Sequence, residues 1–301
     1  DDILSKAQVI TATLVGANHT VLRNCEYGAV VIDEAGQALE PACWIPILKA
    51  PKLVMAGDHH QLPPTIKSQE AAEKGLGTTL LEKSVRLHPE AVVMLREQYR
   101  MNRLIMGYSS NVFYDDQLIA HDSVAEHTLF DQDLPVVFID TAGCGFEEKQ
   151  ENTSTSNPEE AHFLLKQITG LVQELQLLYT PEAFPTIGVI SPYKHQVEIL
   201  KELILQLPMF REISQKISVN TIDSFQGQER DIVYISLARS NADGRIGFLS
   251  EIRRMNVAMT RARKKLVVIG DSGTLSQSPF YAGFIEYAEK SSLYKSAWEL
   301  M

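Results

Sequence analysis

The stretch VVIDEAGQALE, Val30 to Glu40, decides the fold and contains the first candidate site of this chain. It opens with an uncharged, largely β-branched run, Ala29 to Ile32, which predicts a buried strand of a parallel sheet. The run ends in two adjacent carboxylates, Asp33 and Glu34. Open α/β sheets bind ligands at the carboxyl ends of their strands, where one carboxylate can hold Mg²⁺ and the other can take a proton from water. An acidic helix N-cap explains the same pattern equally well, so this stretch alone leaves both interpretations open.

The composition of the 301 residues, 45% hydrophobic and 22% charged, is typical of a soluble globular protein. The length predicts about two domains. A net charge of −10 means that nucleic-acid binding would need a local basic patch. Three cysteines without metal-ligand spacing predict a reducing compartment, cytoplasmic or nuclear. No apolar run has membrane-spanning length and the N-terminus does not resemble a signal peptide, so we expect no membrane partner.

Alternation of strand and helix patterns through both halves predicts an α/β fold with two doubly wound parallel-sheet units. We place the domain boundary before Leu87, which gives domains 1–86 and 87–301. The predicted strands are 7–15, 29–32, 52–56, 92–95, 136–140, 186–190, 218–222, 232–237 and 266–269. A loop poor in apolar residues is predicted over 144–160, with an N-cap at Asn157 and Pro158 at the first helical position.

Compact polar clusters follow five of these strands, a repetition that solvated loops explain poorly. The clusters are Asp33-Glu34, Asp58-Gln61, Gln98-Arg100, Ser191-Gln196 and Asp223-Glu229. The basic stretch 253–263 predicts a helix on which Arg261, among small neighbours, could neutralise a developing phosphoryl charge. Lys264 and Lys265 are better interpreted as part of a solvated cationic face.

Six ordered segments of the chain resemble the motifs of superfamily 1 helicases. They are VVIDEAGQALEP, AGDHHQLPPT, EQYRMN, SPYKHQ, VNTIDSFQGQERD and RRMNVAMTRARKK. Two further segments, DTAGCG at 140–145 and RSNADGRIGFL at 239–249, also match. The resemblance is strongest to the RNA-surveillance-like group, in the branch of the immunoglobulin mu-binding protein helicases, and it covers nearly the whole chain.

The resemblance implies two RecA-like units of the P-loop NTPase type and ATP-driven 5′→3′ translocation on single-stranded DNA or RNA, with duplex unwinding. It implies ATP and Mg²⁺ as cofactors. Asp33 would hold Mg²⁺, and Glu34 would orient or deprotonate the attacking water. Gln61 would sense the γ-phosphate, which Arg100 and Arg261 of the second unit would contact.

Further residues acquire expected roles from the same motifs. Glu229 would contact the nucleotide ribose, Gly227 would let the backbone approach closely, and Tyr99 would stack near the base. The residues of the motifs that line the nucleic-acid track are Thr11, Thr13, Pro63, Ser191, Pro192, Tyr193 and Thr221.

The 301 residues contain no G-x-x-x-x-G-K-[ST] phosphate loop and no Gly-Lys pair. The resemblance therefore implies that the first unit is truncated, with the missing N-terminal part of its RecA-like domain as a partner. We expect an exposed sheet edge, poor ATP binding and no significant ATPase activity from these residues alone.

Two alternative functions stay open. A non-catalytic nucleic-acid-binding or interaction module is disfavoured by the acidic charge and by the lack of a basic, aromatic-rich stretch. A helicase–nuclease ranks lower, because the sequence offers neither an additional acidic cluster nor cysteine ligands for an iron–sulfur site.

Overall fold

The computed structural model describes residues 2–151, 154–291 and 293–301. The chain folds into two compact units, Asp1–Met94 and Leu95–Met301, called unit 1 and unit 2 below. The predicted boundary at 86/87 lies at the end of the last α-helix of unit 1, and the identity of each unit as a separate helicase domain stays a prediction. Within the described ranges, no helix is both long enough and apolar enough to cross a membrane.

Unit 1 is built on a two-stranded parallel sheet. Its strands are β1 (Val30–Ile32) and β2 (Leu53–Met55), with Ile32 paired beside Met55. Its α-helices are α1 (Asp2–Lys6), α2 (Glu40–Ile47), α3 (Gln69–Ala71) and α4 (Leu80–Leu87). A small core of Ile32, Ala35, Cys43 and Leu81 joins the sheet to α2 and α4.

Unit 2 contains a six-stranded sheet in the order β12-β5-β11-β10-β8-β9, in which every neighbouring pair is parallel. The strands of unit 2 are β3 (Glu97–Gln98), β4 (Ile119–Ala120), β5 (Val136–Asp140), β6 (Lys149–Glu151), β7 (Ser154–Ser156), β8 (Ile187–Ser191), β9 (Ile217–Thr221), β10 (Arg230–Ser236), β11 (Ala262–Gly270) and β12 (Tyr294–Ser296). The helices are α5 (Arg103–Phe113), α6 (Asp122–Ala125), α7 (Pro158–Leu178), α8 (Lys194–Gln206), α9 (Pro208–Glu212), α10 (Ile222–Phe225), α11 (Ile252–Met259), α12 (Ser272–Leu275) and α13 (Pro279–Lys290). The predicted α/β fold class with a parallel sheet is confirmed.

The strongest strand predictions in unit 2 are confirmed because their residues fill the centre of the sheet. Every residue of β5 and β8 is buried, including Asp140 at the end of β5, which explains why these runs are largely apolar and do not alternate. The start of α7 is also as predicted: the Asn157 side chain accepts a hydrogen bond from Glu160 N at 2.9 Å, and Pro158 occupies the first turn.

Two predicted strands are wrong. Residues 7–15 form no strand, and β1 pairs only with β2 among the described residues, so no neighbouring strand completes a hydrogen-bond ladder there. Residues 92–95 are likewise irregular, and the strand that follows is the two-residue β3. Val93 and Leu95 are 85% and 87% exposed, so β propensity alone did not create a sheet position for them.

The predicted helix over 253–263 is wrong in its second half. Helix α11 ends at Met259, and β11 begins at Ala262. The residues in β11 hydrogen-bond to strands on both sides, and this tertiary pairing overrides the local helix propensity of a basic stretch. Lys265 is consequently 8% exposed and paired with Asp133, so its assignment to a solvated face is also wrong.

The predicted loop over 144–160 contains an antiparallel pair, β6 with β7, in the register Lys149↔Ser156. Residues 152 and 153, which were part of the same prediction, lie outside the described residues.

Candidate functional site

The carboxylates Asp33 and Glu34 are exposed at the carboxyl end of β1. Asp33 Oδ1 accepts a hydrogen bond from Glu34 N at 3.0 Å. Glu34 itself adopts a left-handed conformation, with φ of 52°, which is unusual for a residue with a side chain. Gln37 Nε2 donates to Glu34 Oε2 at 2.8 Å and so fixes its orientation. The sequence analysis missed Gln37, although its spacing of three residues from Glu34 was available as a signal.

The loops that follow β1 and β2 pack backbone against backbone. A Cβ added to Gly36 would lie 2.5 Å from the carbonyl oxygen of Asp58, and a Cβ on Gly57 would lie 2.8 Å from the backbone nitrogens of Ala35 and Gly36. Ala35 N also donates to Ala56 O at 2.8 Å. Only glycine permits this approach, which brings two of the predicted polar clusters to one edge of the sheet.

The second cluster is organised by the Asp58 carboxylate. Its Oδ1 accepts from His60 N at 2.9 Å, and its Oδ2 accepts from Gln61 Nε2 at 2.9 Å. Gln61 is half-buried, and this hydrogen bond fixes the nitrogen end of its amide. Pro63 is half-buried, and the adjoining Pro64 is buried, which stiffens the loop after β2.

The carboxylates at this edge are oxygen donors of the kind that Mg²⁺ prefers. No group of three or more His, Cys, Asp or Glu side chains that could hold a metal occurs in the described part of the chain. Mg²⁺ needs only one or two carboxylates, because it keeps several waters and binds substrate phosphates. Exposed Asp33 meets that requirement.

In unit 2, Gln98 shapes the loop that presents Arg100. Gln98 Oε1 accepts from the backbone nitrogens of Arg100 and Met101, at 2.8 and 2.7 Å, and its Nε2 donates to Met101 O at 2.9 Å. Arg100 then reaches two other segments. Its Nε donates to Glu229 Oε2 at 2.7 Å, and its Nη1 donates to Thr260 O at 3.1 Å.

Arg261 is 3% exposed, in the turn between α11 and β11. Its Nε donates to Val257 O at 2.9 Å, and its Nη2 donates to Thr260 Oγ1 at 3.0 Å. Its Nη1 lies 3.4 Å from Gln228 O, beside the loop that carries Glu229. The fold thus gathers Arg100, Arg261 and Glu229 into one cluster, although these residues are far apart in sequence.

Two expected nucleotide contacts flank this cluster. Gly227 has φ of +75°, which glycine adopts readily, and a Cβ there would meet nothing within 4 Å. Tyr99 is 60% exposed and stacks on His121, with ring centroids 4.4 Å apart and planes 28° apart. Its hydroxyl donates to Glu97 Oε2 at 2.8 Å, and this hydrogen bond raises the pKa of Tyr99.

The residues expected along the nucleic-acid track differ strongly in exposure. Thr11 and Thr13 are exposed in unit 1, where Thr13 Oγ1 accepts from Gly16 N at 3.0 Å. In unit 2, Pro192 and Thr221 are half-exposed, but Ser191 is buried and Tyr193 is 2% exposed. Contact of these residues with nucleic acid therefore stays a prediction. Pro192 and Thr221 are accessible enough to make such a contact without rearrangement.

Unit 2 also contains a buried polar network that the sequence did not predict. Glu160 Oε1 accepts from Ser236 Oγ and, at 2.9 Å, from Ala238 N. Gln196 Nε2 donates to Ser236 Oγ at 2.9 Å, and Gln196 Oε1 accepts from Asn157 N at 2.8 Å. Burial raises the pKa of Glu160 to about 7. Glu160 lies four and eight residues before the buried Leu164 and Ile168 of α7, and this helical spacing could have predicted that Glu160 is buried as well.

Comparisons with known proteins agree with these motifs. Residues 76–273 match a family model described as an AAA domain, and residues 1–69 match a second model of the same description. The chain is 39% identical over 314 residues to DNA-binding protein SMUBP-2 of Rattus norvegicus, a match that covers 99% of the chain and 31% of that protein.

Two further relatives carry helicase names. An uncharacterized ATP-dependent helicase of Methanocaldococcus jannaschii is 39% identical, over 96% of the chain and 42% of its own length. The DNA polymerase alpha-associated DNA helicase A of Saccharomyces cerevisiae is 33% identical, over 97% of the chain and 46% of its own length. The chain thus spans less than half the length of each of these relatives.

Proposed function

Because the chain belongs to the AAA-domain helicases of superfamily 1, we propose that it is the part of an ATP-dependent helicase that couples ATP hydrolysis to 5′→3′ movement along single-stranded DNA or RNA. The observation that carries this proposal is the placement of the motif residues. Asp33, Glu34 and Gln61 share one sheet edge in unit 1, and Arg100, Arg261 and Glu229 form one cluster in unit 2.

In this mechanism, unit 1 prepares the attacking water. When bound, Mg²⁺ neutralises phosphate charge, and Asp33 is the residue that would hold it. Glu34 is exposed and fixed by Gln37, as a residue that accepts a proton from water must be. Gln61 lies in the loop after β2, where Asp58 fixes its amide, and it would sense the γ-phosphate.

Unit 2 supplies the positive charge. The transferred phosphoryl group spreads negative charge over its oxygens in the transition state, and a guanidinium stabilises that charge. Arg100 is the more accessible candidate, since its side chain is 34% exposed. Arg261 contributes from beneath, either to the phosphate itself or by holding the turn that positions Arg100 through Thr260 O.

The exposed surface of unit 1 supports a further partner, the N-terminal part of the RecA-like domain. Val31 of β1 is 67% exposed, and Leu53 and Val54 of β2 are 37% and 44% exposed. Parallel strands are normally covered on both faces. A phosphate-binding loop is absent from these 301 residues, so we expect ATP turnover only when such a loop precedes them in one polypeptide.

The test compares two proteins: these 301 residues, and a longer polypeptide in which they follow a phosphate-binding loop. ATP hydrolysis is measured with and without single-stranded DNA or RNA. We expect stimulated turnover only from the longer protein, lowered by about 10²–10⁴-fold in Glu34→Gln with ATP binding retained. Glu26→Gln, an exposed acid of unit 1 outside the motifs, is the matched control and should remain active.

Polarity is tested separately with duplexes that carry a single-stranded tail on one end. The proposal expects unwinding from a 5′ tail and none from a 3′ tail. Binding of single strands without any stimulated hydrolysis by the longer protein would instead support the non-catalytic binding module. Turnover by the 301 residues alone, lost in Glu34→Gln, would contradict the need for a phosphate loop.

A further inference from the structure

Phe248 is an exposed aromatic ring on a rigid support. It lies in a 3₁₀ turn, Gly247–Ser250, and is 55% exposed. The next residue, Leu249, is 2% exposed, and its carbonyl accepts from the Tyr281 hydroxyl at 3.1 Å. Gly247 has φ of +56°, and a Cβ there would lie 2.6 Å from Arg239 Nη1. The turn is therefore fixed by close contacts on its inner side, while the ring of Phe248 faces solvent.

Two side chains flank this ring. The Arg254 guanidinium carbon lies 5.8 Å from its centroid, which is cation–π distance. The Tyr193 ring lies with its centroid 5.8 Å away, tilted by 45°, and is itself buried. Arg254 has a carboxylate of Asp223 at 3.9 Å from its Nε, the outer limit of an ion pair. Because this pair is long and the Arg254 side chain is 32% exposed, much of the positive charge stays available to a ligand.

The position of Phe248 and Arg254 within unit 2 indicates which ligand they would bind. Tyr193 belongs to the segment SPYKHQ that follows β8, and Asp223 lies in α10, which Thr221 caps after β9. Phe248 and Arg254 thus adjoin both segments of unit 2 that are expected to line the nucleic-acid track. An aromatic face beside a guanidinium is the combination that binds single strands without sequence preference: the base stacks, and the cation meets the phosphate.

We propose that Phe248 stacks on a base of the bound single strand and that Arg254 contacts the adjoining phosphate. The inference rests on the proposed function, since the ligand is the same nucleic acid, and it assigns two contacts that the motif comparison leaves unassigned. Stacking needs only a π face, so the contact serves DNA and RNA alike and tolerates any base.

The experiment uses the 301-residue chain and fluorescein-labelled oligothymidine and oligouridine, with dissociation constants measured by anisotropy over a series of salt concentrations. Phe248→Ala and Phe248→Leu should each weaken binding by about tenfold, in keeping with the loss of one stacked base. Phe248→Tyr and Phe248→Trp should keep it. Trp298→Ala removes a similarly exposed aromatic, 61% exposed, elsewhere in unit 2 and should change nothing.

Arg254→Ala has a different expected signature. Loss of one phosphate contact should lower the slope of log affinity against log salt by about one, whereas Phe248→Ala should leave that slope unchanged. A strand with 2-aminopurine provides a spectroscopic check, because stacking on Phe248 should alter its fluorescence in the unaltered chain and not in Phe248→Leu.

The outcomes separate the two levels of the proposal. If the unaltered chain binds and Phe248→Ala and Phe248→Leu bind equally well, the stacking contact is wrong while the proposed function stands. If the unaltered chain binds no single strand at all, this inference fails, and the hydrolysis and unwinding assays on the longer polypeptide decide the proposed function separately. Thermal unfolding of each variant verifies the fold, and the solvent-facing ring predicts that the midpoint will not shift.

Discussion

The Arg100 guanidinium donates from Nε to the Glu229 carboxylate at 2.7 Å, and this ion pair joins residues 129 positions apart. The other carboxylate oxygen of Glu229 lies 3.6 Å from Arg263 Nη1. The two predicted nucleotide contacts, Arg100 to the γ-phosphate and Glu229 to the ribose, are therefore partners of each other. We expect nucleotide binding to exchange this pair for contacts to the ligand, which would couple the position of Arg100 to occupancy.

Arg100→Ala tests the catalytic half of that relationship. In a polypeptide that includes the phosphate loop, we expect kcat to fall by about 10³-fold or more with a small change in ATP affinity, because the guanidinium acts on transition-state charge. Steady-state kinetics and equilibrium nucleotide binding measure the two effects. Arg103→Ala, which removes an exposed arginine paired with Glu126, is the control. Equal turnover in both variants would remove Arg100 from the site.

Arg261→Ala should affect folding as well as turnover. The buried guanidinium donates to Val257 O and to Thr260 Oγ1, and hydrogen bonds from a charged group are each worth about 1.5–3 kcal/mol. We expect the free energy of unfolding to fall by about 3 kcal/mol or more in urea titrations and turnover to be lost. Arg263→Ala, whose side chain is 41% exposed, should cost about 1 kcal/mol or less. Full stability and activity of Arg261→Ala would contradict both roles.

Glu160 predicts a pH dependence of stability. Burial raises its pKa from 4.5 to about 7, so between these pH values the folded state binds a proton that the unfolded state has lost. Stability from this group is complete below about pH 4.5 and is lost as pH rises toward 7, by about 3 kcal/mol in total. Glu160→Gln keeps an acceptor for Ser236 and Ala238 and cannot ionise. Between pH 4.5 and about 7, the unfolding free energy of the unaltered chain should therefore fall relative to that of Glu160→Gln.

The neighbouring carboxylate provides the control for that experiment. Glu159 is 44% exposed and pairs with Lys149 at 3.3 Å. Glu159→Gln should therefore follow the pH profile of the unaltered chain. A constant difference between the unaltered chain and Glu160→Gln from pH 5 to pH 8 would show that Glu160 does not titrate there.

The pair of Lys265 and Asp133 should behave as a buried ion pair. Their side chains are 10% and 4% exposed, and burial lowers the pKa of Lys265. Lys265→Met leaves a buried carboxylate unpaired, so we expect a loss of about 3–5 kcal/mol in unfolding free energy. The double variant Lys265→Met with Asp133→Leu should recover most of that loss. Additive losses in the double-mutant cycle would contradict the pairing.

Sequence reasoning succeeded where a residue's environment follows from its own segment. The largely apolar runs that form β5, β8 and most of β10 predict buried parallel strands, because a sheet covered on both faces favours apolar side chains. The start of α7 was equally local, since Asn157 caps the backbone three residues away. The six ordered motifs carried the family assignment, which the comparisons then confirmed.

Failures occurred where a distant strand decided the outcome. The basic pattern predicts a helix through residue 263, but residues 262 and 263 belong to β11, because β10 pairs with the start of that strand and β5 with its continuation from Leu266. Residues 7–15 have strand composition and form no strand among the described residues. The free-energy differences between residues in helix and strand propensity are smaller than the free energy of pairing in a sheet, so propensity does not decide these cases.

The sequence by itself determined which chemical groups the motifs supply: the carboxylates Asp33 and Glu34, and the arginines Arg100 and Arg261. Only the tertiary structure decided how each group is held and how much of it meets solvent. Arg261 and Tyr193 are buried, whereas Phe248, whose apolar side chain predicts burial, is exposed. The physical reason is that burial depends on contacts between segments far apart along the chain, and a linear pattern carries no distances between such segments.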